Sequence, residues 1–399
     1  MKSNYILHVL NQYRKKRFRT SLLLIFILGA SVNLKAQNTK TFDGWNREST
    51  WEKISPFFSP PKAYKGQYGS YRSSLQFYDG HWVKTKEEWK KRREEILTRW
   101  NEMMGNWPPL LKDQKMIIKD SIRRDGITQY RVQFYWTANE QTEGYLLVPD
   151  GSGKSPAVIT VYYEPETAIG WGTPDHANRD FAYQLAKRGF VTLSLGTTKA
   201  TESNTFSLYY PGIENAQVEP LSMLACAAAN AWYALSKIPR VDSTRIGIMG
   251  HSFGGKWAMF ASCLFDKFAC AVWSDPGIVF DETREAVNYW EPWYLGYYPK
   301  PWRKRGMITP QNPAKGLYPK LVAEGYDLQE LHALMAPRPF LVSGGSEDTP
   351  KRWIPLNRTI EVNHFLGYEN RVAMTNRPAH SPTPGSNENA YLFLEYFLK

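Results

Sequence analysis

Arg245-Ile246-Gly247-Ile248-Met249-Gly250-His251-Ser252-Phe253-Gly254-Gly255-Lys256-Trp257-Ala258-Met259-Phe260-Ala261 decides the reading of this chain. Its first five residues read as a short buried strand, and Lys256 to Leu264 reads as the buried helix that follows. Between them Gly250-His251-Ser252-Phe253-Gly254 fits the G-x-S-x-G turn that holds a nucleophilic serine. Gly250 and Gly254 leave room for a strained backbone at Ser252, and the helix start beyond it offers free N–H groups to an oxyanion. A purely structural tight turn is the plainer alternative, and the extra Gly255 argues against it.

Outward from the turn, strand and helix alternate. Ala157 to Tyr163 is continuously apolar and β-branched, as a strand covered on both faces should be. Asp180 to Arg188 and Leu221 to Lys237 read as helices; Phe190 to Leu195, Phe268 to Trp273, Pro339 to Ser343 and Arg371 to Thr375 read as strands. A helix around Trp353 to Leu366 and a last one from Glu388 to Leu398 complete the set. The expected fold is α/β, a mostly parallel central sheet with helices on both faces and chemistry at the carboxyl ends of the strands. Period-two runs between Lys115 and Pro149 predict antiparallel strands leading into that sheet. An aromatic-rich insertion over residues 278–334, after the sixth strand, interrupts the alternation; it holds Tyr289, Trp290, Trp293, Tyr294 and Trp302.

At the N-terminus, Arg14 to Arg19, the apolar run Leu22 to Val32 and Leu34-Lys35-Ala36 have the order of a secretory signal peptide, with cleavage after Ala36. The apolar run is shorter than the ~18 residues a spanning helix needs, so no stable membrane insertion of the mature chain is expected. Residues 1–36 carry seven cations and no acid, so the formal charge of +12 falls to +5 without them. The domain division is then signal peptide 1–36, an N-terminal extension 37–114 and a catalytic domain 115–399. Thr85-Lys86-Glu87-Glu88 predicts a capped helix within the extension, and Gln37 to Tyr78 reads as an extended segment laid over the domain. Cys226, Cys263 and Cys270 sit among apolar neighbours and are too few for a disulfide framework. The mature charge and the lack of a basic-aromatic motif give no support to nucleic-acid binding. Nothing in the sequence fixes the oligomeric state.

A serine needs a base, and the base an acid that fixes its tautomer. With the expected chain order serine, acid, histidine, His380 in Pro378-Ala379-His380-Ser381-Pro382 is the base, ahead of His332 and His364. Two acids compete. Asp348, after strand Pro339 to Ser343, occupies the usual position and is favoured; Asp275, at the end of the preceding strand, is the alternative, and Glu347 a weaker one. The oxyanion donors are expected to be the Phe253 N–H and a group of the loop Tyr163-Glu164-Pro165-Glu166-Thr167, assigned to Glu164. Lys256 stands in the first helical turn, where the helix dipole disfavours a cation, and Trp293 and Trp302 have flat rings that can stack on sugars. All three are candidate substrate contacts; a solvated lysine and a small aromatic core are the plainer readings. Arg284 and His176 are further candidates for the cleft.

These residues resemble the α/β-hydrolase superfamily from about Lys115 to the C-terminus, through Gly250 to Gly255, Ala336-Pro337-Arg338-Pro339-Phe340-Leu341-Val342 with Asp348, and His380. Within it the chain looks like the dienelactone-hydrolase, acetylxylan-esterase and glucuronoyl-esterase groups. Glucuronoyl esterases carry a Ser-Arg-x-Gly-Lys elbow; Gly255 and Lys256 match it, while Phe253 replaces the arginine. The resemblance implies that Lys256 binds sugar hydroxyls and admits Asp275 as the acid. It implies an exported, periplasmic or secreted serine carboxylic-ester hydrolase that removes acetyl or uronoyl ester decorations from a polysaccharide. No metal or organic cofactor is required. The rivals are a serine peptidase of the prolyl-oligopeptidase type, for whose β-propeller residues 1–109 are too short, and a non-catalytic binding protein.

Overall fold

The computed structural model describes residues 45–172, 174–197 and 208–399. The segment read as a signal peptide lies outside them. No helix among the described residues is long and apolar enough to cross a membrane.

Nine strands form one sheet in the order β1-β2-β3-β5-β4-β6-β7-β8-β9. Three antiparallel strands lead in: β1 (Ile117–Arg124), β2 (Ile127–Thr137) and β3 (Glu140–Pro149). Asp125 and Gly126, at φ 50° and 72°, make the tight turn between the first two, the chemistry that the twist of a hairpin favours. The other six are β4 (Ser155–Tyr162), β5 (Val191–Gly196), β6 (Val241–His251), β7 (Ala271–Ser274), β8 (Phe340–Gly344) and β9 (Val372–Asn376). They pair parallel, and β3 joins β5 antiparallel. The insertion therefore follows the seventh strand rather than the sixth, because the polar, exposed run from Ile117 adds an edge strand.

The helices are α1 (Arg47–Ile54), α2 (Lys86–Met104), α3 (Phe181–Lys187), α4 (Pro220–Ser236), α5 (Phe253–Leu264), α6 (Tyr318–Ala323), α7 (Gln329–Ala333), α8 (Trp353–Leu366) and α9 (Pro384–Leu398). Thr85 caps α2 through the expected reciprocal pair with Glu88. Within the stretch read as extended, α1 is a helix that the sequence reading missed; Asn46 caps it by accepting from the Ser49 N–H. Its pattern is masked because only Thr50 and Ile54 of its eight residues are buried.

One face of the sheet packs on α4 and α5, whose alanines let the helices sit close; Trp257 fills the space between them and donates to the Leu224 carbonyl at 2.7 Å. The other face packs on α1, α3 and α9. The order β5-β4-β6 places the topological switch between β4 and β6: the chain leaves β4 toward β5 and leaves β6 toward β7. The crevice that opens there, beyond the carboxyl ends of the strands, is where ligands bind such sheets.

The extension is tied down by a buried charge cluster. Glu330, fully buried, accepts from Tyr78 Oη at 2.9 Å and Trp100 Nε1 at 3.2 Å and pairs with Arg72 at 3.5 Å. Arg92, also fully buried, pairs with Glu95 and donates to the Ser74 carbonyl at 3.2 Å. Removing one partner would leave the rest uncompensated.

Candidate active site

Ser252 is the single residue between β6 and α5. Its φ of 58° and ψ of −116° lie in a region that a residue with a Cβ adopts only under constraint. Two glycines impose that constraint. A Cβ on Gly250 would meet the Gly254 carbonyl oxygen at 2.2 Å, and one on Gly254 would meet that of Val161 at 2.0 Å. Helix α5 is thereby packed directly against β4, and the turn closes with the Ser252 N–H donating to the Ser274 carbonyl at 2.8 Å.

Ser252 Oγ lies 2.8 Å from His380 Nε2, and His380 Nδ1 lies 2.7 Å from Asp275 Oδ2. With a carboxylate at Nδ1, that nitrogen carries the proton and Nε2 accepts from the serine hydroxyl. His380 comes from the loop between β9 and α9, and Asp275 from the residue after β7, at φ 52°. Three different strand ends thus converge on one line of proton transfer. Ser252 and His380 are partly exposed, whereas Asp275 is fully buried.

Asp275 holds the place for which Asp348 was favoured. Besides His380, its carboxylate accepts N–H groups from Gly345 at 2.6 Å, Asp348 at 2.9 Å and Glu347 at 3.3 Å. Asp348 turns away from the histidine: its carboxylate accepts from the Ile278 and Gly277 N–H groups at 2.7 and 2.8 Å. Burial and the neighbouring Asp275 charge push its pKa up. The tight β7 end explains the exchange, since positive φ at Asp275 aims that side chain back over the strand ends, and the β8 loop wraps around it with its N–H groups. Glu347 pairs instead with Arg284 at 3.1 Å.

Two further residues frame the histidine, and sequence reasoning missed both. Arg377 is buried and donates to the carbonyls of His380 at 2.6 Å, Ser381 at 2.9 Å and Ser343 at 2.7 Å. His251 is fully buried with its ring centroid 4.7 Å from that of His380. Desolvation, reinforced by the Arg377 guanidinium, lowers its pKa well below the ordinary value, so it stays neutral. An arginine three residues before the catalytic-type histidine and a histidine inside the elbow were visible in the sequence, but nothing in their spacing assigned them a role.

Phe253, whose N–H opens α5, stacks its ring on Tyr163 at 4.6 Å with an interplanar angle of 7°. Glu164 follows that tyrosine, and its carbonyl accepts the Thr167 N–H at 3.3 Å. The loop after β4 therefore lies against the start of α5, on the side where the oxyanion donors were expected.

The three candidate substrate contacts are less open than their reading requires. Lys256 is buried, donates to the Pro276 carbonyl, and lies 5.0 and 5.4 Å from the ring centroids of Tyr289 and Tyr294. Burial brings its pKa down to about 8. Trp293 is 8% exposed and Trp302 is half-buried against Tyr209, and most insertion aromatics join the large core that α4, α5 and the sheet also build. His176 faces Thr167 and Tyr162 beside the β4 loop. His332 is fully buried and His364 pairs with Glu369 on the surface, so neither approaches Ser252. No group of three metal-ligating side chains occurs among the described residues.

The profile of the prolyl oligopeptidase family matches residues 227–349. Among solved structures, a glucuronoyl esterase from Solibacter usitatus superposes with a TM-score of 0.64 at 17% identity, over 82% of this chain and 98% of that one. The chain has the α/β-hydrolase fold. A family 15 carbohydrate esterase, a glucuronoyl esterase from Teredinibacter turnerae, gives 0.60 at 17% identity over 88% and 99%. A third, from Caldicellulosiruptor kristjansonii, gives 0.56 at 20% identity over 85% and 93%. The likeness thus spans nearly the whole of each α/β-hydrolase compared.

Proposed function

We propose that this chain is a serine carboxylic-ester hydrolase that removes ester substituents from a polysaccharide. The observation that carries the reading is the relay from Ser252 Oγ through His380 to Asp275, with successive separations of 2.8 and 2.7 Å. The Ser252 oxygen attacks the acyl carbon while His380 Nε2 takes its proton. Asp275 holds the imidazole and stabilises the imidazolium that forms. The tetrahedral oxyanion is met by the Phe253 N–H and by the loop at Glu164, at the positive end of α5. His380 returns the proton to the leaving alcohol, and water then attacks the acyl-enzyme by the same route in reverse.

The carbohydrate assignment is supported by the glucuronoyl esterases among the solved structures of the same fold. Phe253 stands where those enzymes carry arginine in the resemblance given above, so acetyl and uronoyl esters are both within the proposal. Export, read from residues 1–36, fits a polymeric substrate outside the cell. The family profile favours a peptidase as the second reading. Against it, the described residues ahead of the sheet form two helices, a 3-10 turn and loops, with no strand before Ile117.

The test is acid release from acetylated xylan and from a glucuronic-acid alkyl ester, with an aryl acetate and a prolyl peptide in parallel, for the mature chain and Ser252→Ala. Cleavage of a sugar ester that the variant abolishes supports the proposal. Cleavage of the peptide alone turns it to the peptidase, and silence on all four ends the hydrolase reading.

A further inference from the structure

We infer that His251 is a positioning residue of the relay: its Nδ1–H ties the serine turn to the end of β7, and its ring packs against the His380 imidazole. The inference deepens the serine-hydrolase reading and rests on it.

His251 closes β6, and its register partner across the sheet is Ser274, the last residue of β7. Each member of the relay touches this pair. Ser252 follows His251 in the chain, and its N–H donates to the Ser274 carbonyl at 2.8 Å. Asp275 follows Ser274 in the same way. His380 meets His251 ring to ring, with centroids 4.7 Å apart and planes inclined by 41°. His251 also stacks on Tyr162 of β4, at 6.5 Å and 19°.

Hydrogen bonding fixes the tautomer. His251 Nδ1 lies 3.2 Å from the Ser274 carbonyl oxygen and 3.2 Å from Ser274 Oγ, and a carbonyl only accepts, so Nδ1 carries the proton. One carbonyl oxygen therefore takes the N–H of Ser252 and that of His251 together, and the positive φ of Ser252 is braced by the residue before it. Nε2 is left as a bare lone pair with no hydrogen-bond partner among the described residues, in a side chain that is fully buried. Packing alone gives no reason for that nitrogen, since an apolar residue of similar size avoids the cost of burying it unpaired. The bond at Nδ1 and the ring beside His380 account for the histidine.

The surroundings leave this ring no room for a charge. Asp275, at the β7 end, is engaged at His380 Nδ1, and Arg377, from the His380 loop, donates to Ser274 Oγ at 3.3 Å. Tyr162 lies between β4 and the segment ahead of α3, with the Arg179 guanidinium carbon 5.8 Å and the His176 ring 5.5 Å from its centroid. A cation at 251 would have two guanidinium groups near it and no carboxylate of its own. His251 thus stays neutral, and the proton leaving Ser252 has one destination, His380.

The test separates the donor from the volume. His251→Leu fills similar space without the N–H, and His251→Asn keeps an N–H near the position of Nδ1 without the ring. On an aryl acetate the leucine variant should lose about 10–100-fold in kcat with KM within about twofold, because Ser252 and His380 lose their register. Its urea midpoint should hold or rise, since removing the unpaired Nε2 offsets the lost bond. The asparagine variant should recover at least about threefold of that kcat. In the full chain, nitrogen NMR of labelled histidine should show His251 neutral with the proton on Nδ1 from pH 5 to 9. Losses of kcat that only follow losses of stability, a leucine variant as active as the parent, no recovery with asparagine, or a His251 that titrates or carries its proton on Nε2 would each overturn the inference. The NMR measurement needs no turnover, so a parent chain silent on every ester ends the hydrolase reading while the state of His251 is still read.

Discussion

Asp275 and Asp348 are joined by a hydrogen bond in which the backbone N–H of one residue supports the carboxylate of the other: the Asp348 N–H donates to Asp275 Oδ1 at 2.9 Å. The two acids thus have a fixed division of labour. Asp275 orients His380, and Asp348 uses its own carboxylate to hold Gly277 and Ile278, the residues that follow Asp275 on the far side of Pro276.

That division predicts unequal consequences. Asp275→Asn should lower kcat on an aryl acetate by about 10³–10⁴-fold, because an amide at Nδ1 favours the wrong tautomer. Asp348→Asn should cost roughly tenfold or less in kcat and appear mainly as lowered stability, since it weakens two buried hydrogen bonds while keeping the histidine's partner. Steady-state kinetics with urea unfolding separates the two. Equal kcat losses would mean that both acids contact the histidine during turnover.

How far the site could be read in advance follows from the same pair. Ser252 and His380 were legible because local chemistry marks them: two glycines around a serine between strand and helix, and a histidine in a loop before the last helix. The parallel strands were legible from their apolar runs. The acid was not, because Asp275 and Asp348 both follow strands of adjacent register, and only the positive φ at Asp275 decides which carboxylate meets the ring. Strand β1 and helix α1 escaped for the opposite reason, being exposed elements with little apolar period. Trp293 looked like a sugar platform from composition, and tertiary packing buried it.

Arg377 is expected to be a positioning residue. Three carbonyls depend on its guanidinium, that of Ser343 on β8 and those of His380 and Ser381 in the loop between β9 and α9. Arg377→Gln should leave buried acceptors unpaired and cost roughly 2–3 kcal/mol of stability. It should also lower kcat by about 10–100-fold with KM little changed, as the imidazole loses its register. Arg377→Lys should rescue little, because one ammonium cannot serve a fork of carbonyls. A KM effect without a kcat effect would place the residue in substrate binding instead.

The thiols offer an independent check on packing. All three cysteines are free and buried, and burial pushes that of Cys226 up to about 12. Native protein should therefore react with an aromatic disulfide reagent at a negligible rate, and unfolded protein should release three equivalents. Reductant should leave Tm unchanged. Two equivalents missing after unfolding would reveal a disulfide and contradict the separate burial of these side chains.

Lys256 gives the pH prediction. Burial lowers its pKa from 10.5 to about 8, so below pH 8 the folded chain carries a buried ammonium that the unfolded chain exposes at no cost. Between those two values the unfolded state binds more protons than the folded state, and stability rises with pH. Above 10.5 the lysine is neutral in both states and the penalty is gone. Lys256→Met fills similar volume without the charge. It also orphans the Pro276 carbonyl, a loss that does not depend on the lysine's titration. The stability of the variant relative to the parent chain should therefore fall by about 3 kcal/mol as pH is raised across that window. Urea unfolding at neutral pH and above 10.5 measures it. A gap that stays constant would mean that the ammonium is fully compensated by the Pro276 carbonyl, the two tyrosine rings and the Asp348 charge, so that the fold carries a charged lysine beside its nucleophile at every working pH.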